Sequence, residues 1–287
     1  MDYRKTFYVD AATKLKLKDR DPAYAAGCGS KQEAAEATEE YRRKLAHLQS
    51  LMYAEKRHSL LIILQGSDAA GKDGVVGRVF AAFNPQGVIV TSFKEPTPEE
   101  LAHDFLWRVH PHAPANGWAA IFNRSHYEDL FVPWAHKTID KETFAQRCAN
   151  IRNFETLLID NGAVILKFFL HISKDEQLAR FEKRLSDPER NWKISESDYS
   201  EQPFWDNYVD AFEEGLGATS TKLAPWYVLP ANHKWFRDLA VSQIVADAME
   251  DLGMRFPKPS VDLDEIRRKY HQIAKDAASK DGKKSEK

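Results

Sequence analysis

The chain has 287 residues, 43% hydrophobic, 11% aromatic and 29% charged, which suits one α/β core domain with helical additions and a solvated exterior. Lys plus Arg number 41 against 43 Asp plus Glu, a net charge of −2, so no global field steers a polyanion, nucleic acid is not an expected partner, and any basic site has to be local. The chain opens on Asp2, Arg4 and Lys5 and nowhere reaches the roughly 18 apolar residues of a membrane span, so a cytoplasmic protein with no membrane partner is expected.

Residues 1–30 mix charges with Pro22, Gly27 and Gly29 and show no period, which predicts an irregular arm. Residues 32–57 place Tyr41, Leu45, Leu48 and Met52 at helical spacing among Glu, Lys and Arg, the pattern of an amphipathic helix. Short apolar runs at 60–64, 87–93, 118–122, 164–172 and 226–229 lack alternation, as strands buried on both faces do, and predict about five parallel strands. Helix starts fall between them. Thr97, Pro98 and Glu100 read as an N-cap, a first-turn proline and a capping-box partner, and Ser173 with Glu176 repeats the box. Phe144, Cys148, Ile151 and Leu158 share one face of a helix over 140–160 that stops at Asn161-Gly162. Alternating strand and helix signals predict an open parallel sheet with helices on both faces and a ligand crevice at the C-terminal strand ends. The expected organisation is an arm and helix over 1–58, a core domain over 59–256, and a C-terminal helix and tail over 257–287, disordered from Lys275. Cys28 and Cys148 lie far apart with no C-x-x-C spacing and are expected to be small buried apolar groups.

The first strand runs into Gly66-Ser67-Asp68-Ala69-Ala70-Gly71-Lys72-Asp73, followed by an apolar-periodic segment at Val75, Val76, Val79 and Phe80. This is the setting of a P-loop: the glycines turn backbone N–H groups around an anion, the next helix N-terminus adds positive charge, and Lys72 reaches the outer phosphates. Gly66, Ala69, Ala70, Gly71, Lys72 and Asp73 are therefore the expected phosphate-binding residues. Asp73 stands where Ser or Thr usually ligates magnesium. Asp68 inside an anion-binding loop calls for a cation between it and phosphate, which makes it a magnesium ligand; capping the following helix is the alternative for both acids.

The third run ends in Asn123-Arg124-Ser125-His126-Tyr127-Glu128-Asp129, where a Walker B acid would stand. Asn123 can hold a metal-bound water and Glu128 can supply charge from one helical turn away, so Asp68, Asn123 and Glu128 form the expected Mg²⁺ set. Arg124 offers a planar fork of donors to phosphate oxygens, with a surface ion pair as its alternative. His126 and Tyr127 read as packing or orienting groups. Lys183, Arg184, Arg190 and Lys193 put four cations in eleven positions across Pro188. That is the composition of a hinged lid, about residues 181–213, or of a charged helix hairpin facing solvent.

GSDAAGKDG, FNRSHYED and KRLSDPERNWK, followed by Phe204-Trp205-Asp206-Asn207-Tyr208 and Ala224-Pro225-Trp226-Tyr227, together resemble the polyphosphate kinase 2 family over roughly residues 30–255. The resemblance implies a P-loop kinase fold similar to thymidylate kinase, a Mg²⁺ cofactor, and polyphosphate and an adenine nucleotide (AMP, ADP or ATP) as substrates. It also implies a homo-oligomer, dimer or tetramer. Carried over by position, the catalytic residues are Asp68, Lys72, Arg124 and the lid's Arg184, with Arg190 nearby; Lys72, Arg124, Arg184 and magnesium held near Asp68 would neutralise the transferring group. Asn123 departs from members with Asp there, and with Glu128 it resembles the subgroup accepting both AMP and ADP. An anionic acceptor oxygen would attack the end phosphorus of polyphosphate without a general base. Lys94 is expected along the polymer, and Phe83-Asn84-Pro85 as the adenine slot. An ATP-dependent nucleoside monophosphate kinase and a non-catalytic phosphate sensor are the competing readings.

Overall fold

Each apolar run becomes a strand and the segments between them become two helical layers, in a computed structural model that describes residues 1–10, 13–25 and 27–282. The chain begins with α1 (Tyr3–Phe7), α2 (Lys31–Glu55), β1 (Ser59–Gln65), α3 (Lys72–Arg78), β2 (Val88–Ser92) and α4 (Pro98–Leu101). It continues through β3 (Ala119–Asn123), α5 (Glu128–Ala135), α6 (Lys141–Asp160), β4 (Ala163–His171), α7 (Lys174–Ser186) and α8 (Ser197–Ser200). It closes with α9 (Trp205–Thr219), β5 (Trp226–Pro230), α10 (Lys234–Glu250) and α11 (Leu263–Gly282). The sheet is parallel throughout, in the order β2-β3-β1-β4-β5. After β1 the chain crosses to the edge strand β2, returns to β3 between the two, then passes to β4 on the other side of β1. The crevice at that reversal lies at the C-terminal ends of β3, β1 and β4, where ligands of such sheets bind.

Alternate side chains of β1 feed opposite layers. Leu60, Ile62 and Leu64 join Val75, Leu45 and Ile244 of α3, α2 and α10. Leu61 and Ile63 join Phe131, Ile151 and Leu216 of α5, α6 and α9. β2 departs from the expected burial: as an edge strand it leaves Ile89 and Val90 about half exposed, at 48% and 47%.

The arm is more ordered than its composition suggests. Asp2 caps α1, and Tyr3 and Phe7, one turn apart, pack edge-on against Phe236 of α10. A five-residue helix is too short to persist alone, so this tertiary contact, invisible to periodicity, stabilises it. At Thr97 the capping box closes in both directions, but α4 stops after one turn because none of its residues is buried. At Ser173 only half the box forms: its Oγ accepts from Glu176 N at 3.2 Å, while the Glu176 carboxylate accepts from Arg180 Nε at 2.7 Å. Cys148 is buried, which pushes its thiol up to about 11; Cys28 is half-buried and its Sγ–H reaches Ser30 O.

One buried charge network braces the second layer. Lys167 Nζ on β4 donates to Glu155 Oε2 at 2.7 Å, Tyr127 Oη at 3.0 Å and Thr219 O at 2.8 Å, using all three ammonium protons. Tyr127 Oη in turn donates to Glu155 Oε1 at 2.7 Å. Burial alone would expel these charges, and the mutual hydrogen bonds oppose that, locking the residue that precedes α5.

Residues Met1–Met254 form one compact unit, which includes the arm and α2, and Arg255–Lys287 form a second. In the second unit, the segment expected to be disordered from Lys275 continues as helix α11 to Gly282, and residues 283–287 lie outside the described residues. Among the described residues no helix is long and apolar enough to cross a membrane.

Candidate active site

Three neighbouring strands deliver the site. β1 ends at Gln65 and turns into the phosphate loop, β3 ends at Asn123 and turns into α5, and β4 leads into α7. The loop reverses through Gly66 at φ +143°, Ala69 at +61° and Gly71 at +104°. Gly71 has a second reason to lack a side chain, since a Cβ there would lie 2.0 Å from Arg237 Nη1. α3 runs for only seven residues, so the loop's affinity for anions rests less on a long helix's dipole than on its turned N–H groups and nearby cations.

Lys72 is nearly buried and donates to Gly66 O at 2.7 Å and Ser67 O at 3.2 Å. Burial, reinforced by Arg124, pushes its ammonium down to about 8 against the pull of Asp68, Glu128 and Asp73. Arg124, held at φ +60° with its N–H on Leu64 O, turns its guanidinium onto the Asp68 carboxylate and lies 3.5 Å from Glu128 Oε2. Glu128 opens α5, as anticipated. Burial raises its carboxyl, with Arg124 and Lys72 opposing. The buried Gln65 steadies it from β1: with its amide turned nitrogen toward Glu128, it donates to Oε1 at 2.8 Å while its oxygen accepts from Ser125.

The three expected metal ligands do not share one set of contacts. Asp68 and Glu128 meet through Arg124, whereas Asn123 Nδ2 donates to Asp73 Oδ1 at 2.8 Å. Asp73 also pairs with Lys193 at 3.2 Å; burial pushes its carboxyl up, but these two donors together hold it below the ordinary range. Asp73 caps no helix here, because Gly71 is the residue preceding α3 and contributes no side chain. His126 is fully enclosed beside Phe154 and Tyr127; burial first, then Lys167 and Arg108, pushes it down to about 3, so it is a neutral packing ring.

Of the other expected residues, Arg184 lies 5.6 Å from the centre of the Phe181 ring at the end of α7, and Arg190 Nε pairs at 2.8 Å with Asp187 on the exposed stretch beyond it. Lys94 lines the same cavity as Asp68, Arg124 and Glu128, with its carbonyl held by Arg108 Nη1 at 2.8 Å. That cavity has a volume of about 340 Å³, and beyond the charged end its wall is aromatic, including Phe93, Phe131, Trp205, Tyr208 and Phe212. The residues expected as the adenine slot do not line it: Phe83 is buried against Phe80, and the exposed Asn84 is bound to Gln49 of α2.

Sequence reading missed Gln65, Gln177, Arg180 and Arg237. A polar residue ending an apolar strand run was a signal for Gln65, and the i, i+3, i+7 spacing of Gln177, Arg180 and Arg184 was one for α7. Arg237, far along the chain on α10, carried none.

A β1–loop–α3 phosphate cradle with a converging arginine at the neighbouring strand end defines the P-loop phosphotransferase class. The profile of the family "Polyphosphate kinase 2" matches residues 29–257. An AMP/ADP-polyphosphate phosphotransferase of Meiothermus ruber is 45% identical over 263 residues, 91% of this chain and 98% of that protein. An ADP-polyphosphate phosphotransferase of Rhodopseudomonas palustris is 44% identical over 83% of this chain and 85% of its own length. The crystal structure of polyphosphate kinase 2 from Arthrobacter aurescens TC1 superposes with a TM-score of 0.92 at 39% identity, covering 95% of this chain and 97% of that one. The chain belongs to the polyphosphate kinase 2 family.

Proposed function

We propose that this protein moves the terminal phosphoryl group of inorganic polyphosphate reversibly onto AMP and ADP. The observation that carries the reading is a single cavity with Arg124 and Lys94 at one end and an aromatic wall at the other, opening beside the phosphate loop. A nucleotide needs both: cations for its phosphates and an apolar face for its base. Phe93, Trp205 and Tyr208 replace the Phe83 turn as the base slot.

An oxygen of the acceptor phosphate forms a bond to the end phosphorus of polyphosphate as the bridging P–O bond to the chain breaks, and the shortened polymer leaves as an anion. The nucleophile is already anionic, so no side chain has to remove a proton. The transition state is loose and needs alignment and charge neutralisation. Lys72 and Arg124 supply the neutralisation from the strand ends, and Arg184 from the lid end of α7.

Mg²⁺ belongs to this reading. Among the described residues no three or more His, Cys, Asp and Glu side chains converge as a metal site. Magnesium characteristically takes only one or two carboxylates, with phosphate oxygens and water completing its shell. Asp68 and Glu128 fit that role, because both already face one cationic group, Arg124, with hard oxygen donors. When bound there the ion would screen the phosphate oxygens. Asn123 remains a holder of metal-bound water through its oxygen, its nitrogen being on Asp73. A cytoplasmic homo-oligomer completes the proposal.

The test is to incubate the pure protein with long-chain polyphosphate, Mg²⁺ and each of AMP, ADP and GDP, and to follow products by chromatography. ADP should appear from AMP, then ATP, and a chelator should stop both steps. Transfer from ATP to AMP with polyphosphate inert would overturn the reading in favour of an ATP-dependent kinase.

A further inference from the structure

Arg180 belongs to the cation-rich helix α7, one turn before Arg184, and its composition alone would make it another phosphate ligand. Its hydrogen bonds assign it elsewhere. Nη1 donates to Ala69 O at 2.8 Å and Ala70 O at 3.0 Å, Nη2 to Ala231 O at 2.6 Å and Asn232 O at 3.1 Å, and Nε to Glu176 Oε1 at 2.7 Å. A guanidinium has five N–H groups. All five are engaged, so none is left for a phosphate oxygen, and the side chain is only 6% exposed.

Gln177, one turn earlier on the same face, extends the pattern. Its Nε2 donates to Asp68 O at 2.9 Å, and its Oε1 accepts from Gln202 Nε2 at 2.8 Å, so the amide is fixed at both ends. Three successive loop carbonyls, those of Asp68, Ala69 and Ala70, are therefore drawn toward α7. In a planar trans peptide the N–H points opposite to the C=O. Holding the carbonyls of Asp68 and Ala70 turns the N–H groups of Ala69 and Gly71 away from α7, while Ala70 N–H closes a turn onto Ser67 O at 3.1 Å. The conformation needs such a hold, because Ala69 sits at φ +61°, where a residue with a Cβ is strained. Lysine could not substitute, since an ammonium has three protons at one point and the carbonyls belong to two separate segments, the loop and the turn after β5.

We propose that Arg180 and Gln177 are positioning residues that clamp the phosphate loop from behind, keeping its N–H groups aimed at the bound polyphosphate without touching it. The inference rests on the reading of the loop as a polyphosphate site.

The experiment compares wild type, Arg180→Lys and Gln177→Met by calorimetric titration with tripolyphosphate, by kcat and KM for AMP with polyphosphate as donor, and by thermal melting. Gln177→Met removes one loop hydrogen bond and should weaken tripolyphosphate binding about tenfold; Arg180→Lys, which keeps the charge and loses the fork, should weaken it about a hundredfold. kcat should fall in parallel, and in Arg180→Lys, whose side chain does not line the nucleotide cavity as Gln177 does, KM for AMP should stay within about twofold of wild type. A residue serving only stability would lower the melting temperature and leave the folded fraction with wild-type affinity. Wild-type tripolyphosphate affinity and kcat in either folded variant would overturn the clamp, and Gln177→Met decides the matter should Arg180→Lys fail to fold. Wild type that binds tripolyphosphate but does not phosphorylate AMP would instead remove the proposed function and leave the clamp standing.

Discussion

At the phosphate loop the cations are buried and the carbonyls behind them are held by a neighbouring helix, whereas residues 187–204 keep theirs near the surface on local contacts. Lys72, Arg180 and Arg237 are 8%, 6% and 1% exposed; Trp192, in the middle of the other region, is 76% exposed. Arg190 there pairs with Asp187 three residues away, and Trp192 Nε1 bonds to Glu189 O at 2.9 Å. Lys193 reaches farther, pairing with Asp73 of the loop. The difference separates two ways of using charge. Desolvation built into the fold makes a buried cation potent toward phosphate and sensitive to pH, while a surface cation is screened and can move with its segment.

The contrast breaks most visibly at Lys72. Lys72→Ala should lower kcat/KM for polyphosphate by about a hundredfold to a thousandfold, the cost of removing one transition-state donor. Its melting temperature should stay within a few degrees of wild type, because the residue is held by loop carbonyls and not by the core. Steady-state turnover beside a thermal melt checks both halves, and equal turnover would return the loop to a structural role.

A smaller effect follows from the depressed pKa of that lysine, about 8. The protonated form is the one that attracts phosphate, so kcat/KM for polyphosphate should be level below pH 8 and fall about tenfold per unit above it. Ordinary lysines, such as those that line surface segments, would hold the rate level to about pH 10. A profile flat through pH 9.5 would contradict the buried-cation side of the comparison.

The smallest effects belong to the exposed region, and they sharpen it. Lys193→Ala loses a partly exposed pair that joins the 187–204 stretch to the loop, and should lower kcat/KM by no more than about fivefold. Arg190→Ala loses only a local surface pair, and should stay within about twofold. A loss at Arg190 as large as at Lys72 would mean that the surface cations close onto the transferring group and the two regions are one.

Much of this protein was legible before any coordinates. The five apolar runs became the five strands, because unbroken hydrophobic runs bounded by polar turns state their burial locally. The loop from Gly66 to Asp73 and the arginine after β3 could be read for the same reason: each motif carries its chemistry within a few consecutive residues. Failures came where meaning depends on distant partners. Phe83 was taken for a base slot and lies in the core against Phe80 and α2, since an aromatic residue looks alike in either role. Arg180 drew no reading from the sequence, and only the folded chain brings its fork to carbonyls 110 residues upstream and 51 downstream. Asp68, Asn123 and Glu128 were grouped by position, and only the fold shows that the two acids meet Arg124 while Asn123 meets Asp73. Local pattern determined which segments are strands, helices and phosphate loop; strand order decided which side chains from β1, β3 and β4 face one another, and with that which charges bind phosphate and which hold the loop that does.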